Sequence, residues 1–214
     1  MNIRPAQVSD IDDMLKVKQR LVFKESNGVS TRGGFLLGTD ADGYRFRIAQ
    51  QCAWVIDDNG VQGFSIILPD HALRASEIWS RRKEVQWTID PNSIEQSKLG
   101  YYDQLAVLPG TSRKYAPVIA IVSIMDFMRQ QPDYILSSTV IKPVINLAAV
   151  PYLQFLRGER VGVLDEVDSV VGQLVSDIWL APRHTIESFL ASPPSEAITN
   201  YICQAKEFLY KYKS

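Results

Sequence analysis

Arg113 and Lys114 stand just ahead of a long apolar stretch, Val118 to Met128, and this pairing of a basic turn with an apolar run is the chain's clearest chemical signal. A helix N-terminus carries unpaired backbone N–H groups and the positive end of the peptide dipole, so a basic turn leading into one is suited to an anion, most often phosphate. The stretch Tyr101 to Pro109 reads as the strand that delivers the turn. Its aromatic and apolar residues suit a pleated, half-buried setting, and its terminal proline cannot donate to a ladder. The turn runs Gly110 to Pro117 and the helix Val118 to Met128. That helix is apolar almost all round, with Ser123, Asp126 and Gln130 as its polar stripe, which predicts a place deep in a core. Other chemistry is thin. His71 and His184 cannot make a multi-histidine site, and Cys52 and Cys203 give no CxxC metal signature and no disulfide framework. Cys52 reads as a small core residue and Cys203 as packing beside an apolar helical stripe. The pair Gly33-Gly34 lacks the spacing of a P-loop and reads as a connector. No Ser-His-Asp arrangement or dinucleotide fingerprint competes.

The elements that must position this turn fit one domain spanning 214 residues, with 46% hydrophobic residues to fill a core. A formal net charge of -1 supplies no global field for nucleic acid or an anionic membrane. No apolar run reaches the ~18 residues of a spanning helix. With no signal peptide evident after Met1 and few cysteines, a cytoplasmic location is the expectation.

In chain order, Asn2 to Ala6 reads as a first strand, and Ser9-x-x-Asp12 as a capping box opening a helix to about Phe23. A polar, Gly-rich loop covers 26–38, and a second helix follows the cap Thr39 to about Gln51. Cys52 to Ile56 and Val61 to Leu68, joined through Asn59-Gly60, form the clearest hairpin. Residues 69–99 are an insertion. Ala72 to Trp87 is helix-competent, and its charge run Arg81-Arg82-Lys83-Glu84 reads as a solvated face or, more sharply, as a pocket wall favouring anions. Tyr134 to Ile141 is the next strand, and Val144 to Gly162 holds a helix interrupted at Pro151. Gly172 to Leu180 is a last strand, paired with 159–165. After the breaker Ser192 to Ser195, a helix runs from Glu196 to about Tyr212.

Four partial motifs together resemble the GNAT superfamily of N-acyltransferases over residues 2 to about 180. They are the opening Ile3-Arg4-x-Ala6, the hairpin resuming at Val61-x-Gly63-Phe64, the central Val107-x-Pro109 with Arg113-x-x-Ala116-x-Val118, and Asn146-x-x-Ala149 closing at Gly158 and Val161-Gly162. The resemblance implies an α/β fold of the α+β type, a mixed, mostly antiparallel central sheet flanked by helices. One domain would carry an inserted helix at about 70–98 and a C-terminal helix at about 194–212. The copy departs from the family where Ala116 and Val118 replace small glycines, Pro117 removes an N–H donor, and Glu159 stands where phenylalanine is usual.

The implied activity is acyl transfer from acyl-CoA, chiefly acetyl-CoA as co-substrate, to a primary amine of a small molecule or peptide. In this resemblance the backbone of Leu105, Ala106 and Val107 contacts the pantetheine and thioester. Arg113, Lys114, Tyr115, Ala116 and Val118 hold the pyrophosphate, and Asn146 contacts the cofactor or caps its helix. Asp103 is the candidate general base, acting through water, and Tyr152 the candidate general acid. Each also has a plain reading: a solvated strand carboxylate and an ordinary half-buried tyrosine. The altered loop keeps a second function open, a GNAT-fold module binding acyl-CoA or a protein partner without turnover. Neither nucleic acid nor membrane is an expected partner; a homodimer through the last strands or the C-terminal helix is.

Overall fold

The computed structural model describes residues 1–21, 28–30, 38–110, 114–168 and 172–213. Its frame is an eight-stranded mixed sheet. The strands are β1 (Asn2–Pro5), β3 (Ala53–Asp57), β4 (Val61–Pro69), β6 (Leu99–Val107), β7 (Tyr134–Lys142), β10 (Gly172–Pro182), β9 (Glu159–Asp168) and β5 (Gln86–Trp87), in that spatial order. Every neighbouring pair is antiparallel except β6 and β7. A separate parallel pair joins β2 (Gly28–Ser30) to β8 (Val144–Asn146).

The two faces bury different helices. On one lie α1 (Ile11–Leu21), α2 (Ala41–Ala49) and the insertion, through Met14, Val17, Tyr44, Trp79 and Ile94. On the other lie α6 (Ala116–Met128), α8 (Arg183–Ala191) and α9 (Glu196–Lys213), through Val118, Val122, Ile186, Ile202 and Leu209. The apolar α6 is sunk as its composition requires. Ser123 is 3% exposed with no partner for its hydroxyl among the described residues, and Asp126 accepts from Trp54 Nε1 at 3.1 Å. Gly100 fixes how closely α6 approaches, since a Cβ there would lie 2.2 Å from Phe127 Cε1. The Asn59-Gly60 turn takes the expected left-handed backbone, with φ of 56° and 110°.

Several expectations are corrected. The first helix is opened not by Ser9 and Asp12 but by a 3-10 turn, Val8–Asp10, where the Asp10 carboxylate accepts from Gln7 N at 2.8 Å and from both terminal nitrogens of Arg4. The cap of α2 is Asp40, accepting from Gly43 N at 2.8 Å, and not Thr39. Residues 72–87 do not form one helix. They break into α3 (Asp70–Arg74), α4 (Glu77–Ser80), a 3-10 turn (Arg81–Lys83) and β5, followed by α5 (Pro91–Glu95). Ser76 caps α4, accepting from Trp79 N, and so divides α3 from α4. Residues 144–146 are strand, and α7 is only Val150–Phe155. Pro151 therefore lies in a first helical turn, where its missing N–H costs nothing, and interrupts no helix. Helix α8 had no sequence signal strong enough to find it; it starts directly from the last strand without a side-chain cap.

Candidate active site

Strands β6 and β7 pair only from Leu99↔Tyr134 to Tyr102↔Ser137. Beyond that, β6 stays with β4 as far as Val107, and β7 stays with β10 as far as Lys142. The two parallel strands thus part, leaving a gap between Asp103–Val107 and Ser138–Lys142. The inner edge of β6 then presents backbone N–H and C=O groups that the ladder with β7 no longer uses. An extended amide-bearing ligand can pair with such an edge as an added strand would.

A β-bulge sets the parting. Ile66 faces Gln104 and Ile67 faces Tyr102, so Asp103 is the extra, unpaired residue of β6. A bulge bends its strand and re-aims side chains. Here it sends Asp103 and Gln104 to the same helix. Arg47 Nε donates to Asp103 Oδ2 at 2.6 Å, and the Tyr44 hydroxyl to Gln104 Oε1 at 3.0 Å. Gln104 Nε2 donates in turn to Thr39 Oγ1 at 2.7 Å. The ion pair is secluded, with side-chain exposure of 13% for Arg47 and 8% for Asp103. Burial pushes the Asp103 carboxyl up, against the opposing pull of Arg47. Asp103 is therefore no solvated strand carboxylate.

Two tyrosines flank the bulge on opposite faces. The hydroxyls of Tyr101 and Ser138 are hydrogen-bonded at 2.7 Å, tying the two strands where they begin to part. Burial, with the nearby Asp103 charge, pushes the Tyr101 phenol up to about 12. Tyr102 is hydrogen-bonded to Ser65 Oγ at 2.9 Å, and burial raises its phenol too. Tyr152 is half-buried on α7, and its charge when ionised adds a little to that rise. The Leu105 and Val107 side chains pack toward α6, and Ala106 toward the opposite core.

The anion-binding turn is described from Lys114 onward; Arg113 lies outside the described residues, as do Gly33 and Gly34. Helix α6 begins at Ala116, two residues earlier than its apolar run suggests. Tyr115 precedes it without a side-chain cap, and the Lys114 ammonium sits 5.1 Å from the centre of the Tyr115 ring. Pro117 falls in the first turn and supplies no N–H. Val118 is 1% exposed and turned into the core, so its bulk is directed away from the open helix end. Asn146, on β8, accepts from Ala148 N at 3.2 Å; it caps no helix, because Ala149 precedes α7.

Arg47, Tyr101, Tyr102 and Ser138, which surround the bulge, belong to no motif in the sequence. Tyr101 and Tyr102 read as strand formers, and Arg47 lies 56 positions from its carboxylate, a separation that periodicity cannot bridge. The charge run also changes meaning. Arg81 pairs with Glu166 of β9 at 2.5 Å and Arg82 with Glu95 at 2.8 Å, so two of its cations fasten the insertion. Among the described residues no group of metal-binding side chains gathers, and no helix is long and apolar enough to cross a membrane.

No protein-family model and no curated protein sequence matches the chain. Solved structures match it by shape. A ribosomal-protein-alanine N-acetyltransferase from Brucella melitensis is 12% identical with a TM-score of 0.56, over 85% of this chain and 99% of its own. An N-acetyltransferase from Staphylococcus aureus Mu50 is 13% identical with a TM-score of 0.55, over 85% and 97%. Arabidopsis thaliana NAA60 in complex with acetyl-CoA is 14% identical with a TM-score of 0.53, over 83% and 96%. The chain has a GNAT fold. Identities this low carry the fold alone, so the chemistry of this GNAT-fold chain has to be argued from its own residues.

Proposed function

We propose that this GNAT-fold chain is an acyl-CoA-dependent N-acyltransferase that moves an acetyl group from acetyl-CoA to a primary amine. The observation that carries the reading is the parting of β6 from β7 at the Asp103 bulge, below the uncapped start of α6. The pantetheine amides would pair with the freed edge at Leu105, Ala106 and Val107. The pyrophosphate would lie against the α6 N-terminus, with Arg113 and Lys114 supplying charge. Acetyl-CoA bound to Arabidopsis thaliana NAA60 supports the choice of co-substrate.

In the reaction the neutral amine nitrogen attacks the thioester carbonyl carbon, and the tetrahedral intermediate collapses as the C–S bond breaks. The nitrogen loses a proton and the departing sulfur gains one. Asp103 would accept the first through a water, since one of its carboxylate oxygens is already engaged by Arg47. Tyr152, half-buried on α7, would give the second. Calorimetric titration with acetyl-CoA and with CoA tests the reading. Micromolar binding of both supports it, and absence of binding by either refutes it. The Asp103–Arg47 pairing favours a second reading, an acyl-CoA-binding module without turnover. It is separated from the first by thiol release on mixing acetyl-CoA with a panel of small amines and peptides.

A further inference from the structure

We propose that the insertion carries a second ligand site, a pocket for a small aromatic carboxylate between Trp79 and Trp87. The site is independent of the acyl-transfer reading. The pocket measures about 270 Å³ and is walled by the two indoles and Ile94, with Arg82, Lys83 and Glu95 around them. A cavity of about 150 Å³ accepts benzene, so this one takes a single ring with a short side arm.

The walls are built in advance. Trp87 lies on β5, held to β9 by the pairs Gln86↔Val163 and Trp87↔Gly162, and its indole N–H donates to the Arg82 carbonyl at 2.9 Å. Gly162 is what lets this strand seat. A Cβ there would lie 2.8 Å from Val85 Cγ1, 3.1 Å from the Gln86 carbonyl oxygen and 3.4 Å from Trp87 Cε3. The Trp79 ring is fixed by the guanidinium groups of Arg74 and Arg82, 4.8 and 4.7 Å from its centre.

The charges choose the ligand's sign. Arg82 donates through Nε to Glu95 Oε1 at 2.8 Å and through Nη1 to the Trp79 carbonyl at 3.1 Å, which leaves Nη2 unused among the described residues. Lys83 is exposed and, among the described residues, makes no ion pair or hydrogen bond. One carboxylate against two cations leaves an excess positive charge at the pocket. Two unused cationic donors beside preformed aromatic walls suit a carboxylate attached to a ring.

The test titrates the full chain with 3-phenylpropionate, followed by calorimetry and tryptophan fluorescence, with 3-phenylpropanamide and butyrate as controls. The ring-bearing carboxylate should bind about tenfold or more tightly than either control. Lys83→Gln should weaken it about two- to fivefold, the range for an exposed charged contact, and Trp87→Leu by about tenfold, with acetyl-CoA titrations unchanged in both. Should Trp87→Leu fail to fold, Lys83→Gln decides, because that side chain holds nothing in place. Three results would overturn the site: no saturable binding up to about 10 mM, equal binding of the amide and the carboxylate, or binding unaffected by Lys83→Gln.

Discussion

Replacing Arg47 by methionine should be one of the costliest single changes to this chain outside its apolar core, and the size follows from what it leaves behind. Asp103 would remain 8% exposed with its 2.6 Å partner gone. Removing one member of a buried pair costs about 3–5 kcal/mol, because the survivor is an uncompensated charge. Against a typical domain stability of about 5–15 kcal/mol, that is a large fraction. The pH dependence gives the loss its signature. Burial already holds the Asp103 carboxyl above its ordinary value, and Arg47 opposes that rise. Without Arg47 the folded-state value climbs further, so the folded chain binds a proton that the unfolded chain has released. Stability then falls as pH rises from the ordinary carboxyl range through the raised value. The deficit of Arg47→Met relative to the parent should therefore shrink between pH 7 and pH 5. Asp103→Asn leaves a cationic Arg47 at both values and removes the carboxyl, so its own stability should carry no dependence on pH from this position. The double variant should lie closer to the parent than the sum of the two single losses, since neither charge is left alone. Urea unfolding of all four proteins at both pH values measures each quantity. Single losses under about 1 kcal/mol that simply add would show an exposed, weakly coupled pair and refute the reasoning.

Asp103→Asn should also lower turnover strongly with acetyl-CoA affinity nearly unchanged, measured by thiol release and calorimetry on the folded variant; equal turnover removes Asp103 from the proton path. Pro117→Ala restores a backbone N–H in the first turn of α6 and should tighten CoA binding about fivefold, near the 1 kcal/mol of an ordinary hydrogen bond; unchanged affinity would mean that the pyrophosphate does not meet this turn. Gly100→Ala forces a methyl to 2.2 Å from the Phe127 ring and should cost about 1–3 kcal/mol in urea unfolding, partly recovered by Phe127→Leu.

What the sequence made legible was whatever is written locally. The hairpin through Asn59-Gly60 and the all-apolar α6 follow from residues within one turn or one helix of each other. The insertion misleads because its helical propensity runs on without a break in the sequence pattern. Ser76 and the packing of Trp79 under two arginines break it, and neither effect lies in the periodicity. The 144–146 stretch, expected to open a helical segment, is strand paired with residues 28–30, a partner more than a hundred positions away. The same distinction divides the site. The turn at Lys114 is a local signal, whereas the Arg47–Asp103 and Tyr101–Ser138 contacts exist only once α2 and β7 have been placed against β6.

The bulge at Asp103 ties these observations together. Regular pairing would alternate the side chains of β6 between faces, and Asp103 and Gln104 could not both turn toward α2. Inserting one residue aims the carboxylate at Arg47 and bends the strand as the ladder with β7 ends. The gap that would receive pantetheine and the acid that would take the amine's proton thus arise from one irregularity. The ion pair holds that irregularity in place, because releasing Asp103 from the bulge would strand a buried guanidinium. A change that straightens β6 should close the gap and free the arginine together, whereas Asp103→Asn keeps the extra residue and an acceptor for Arg47 and should leave the gap, and with it the affinity for CoA, nearly as it was.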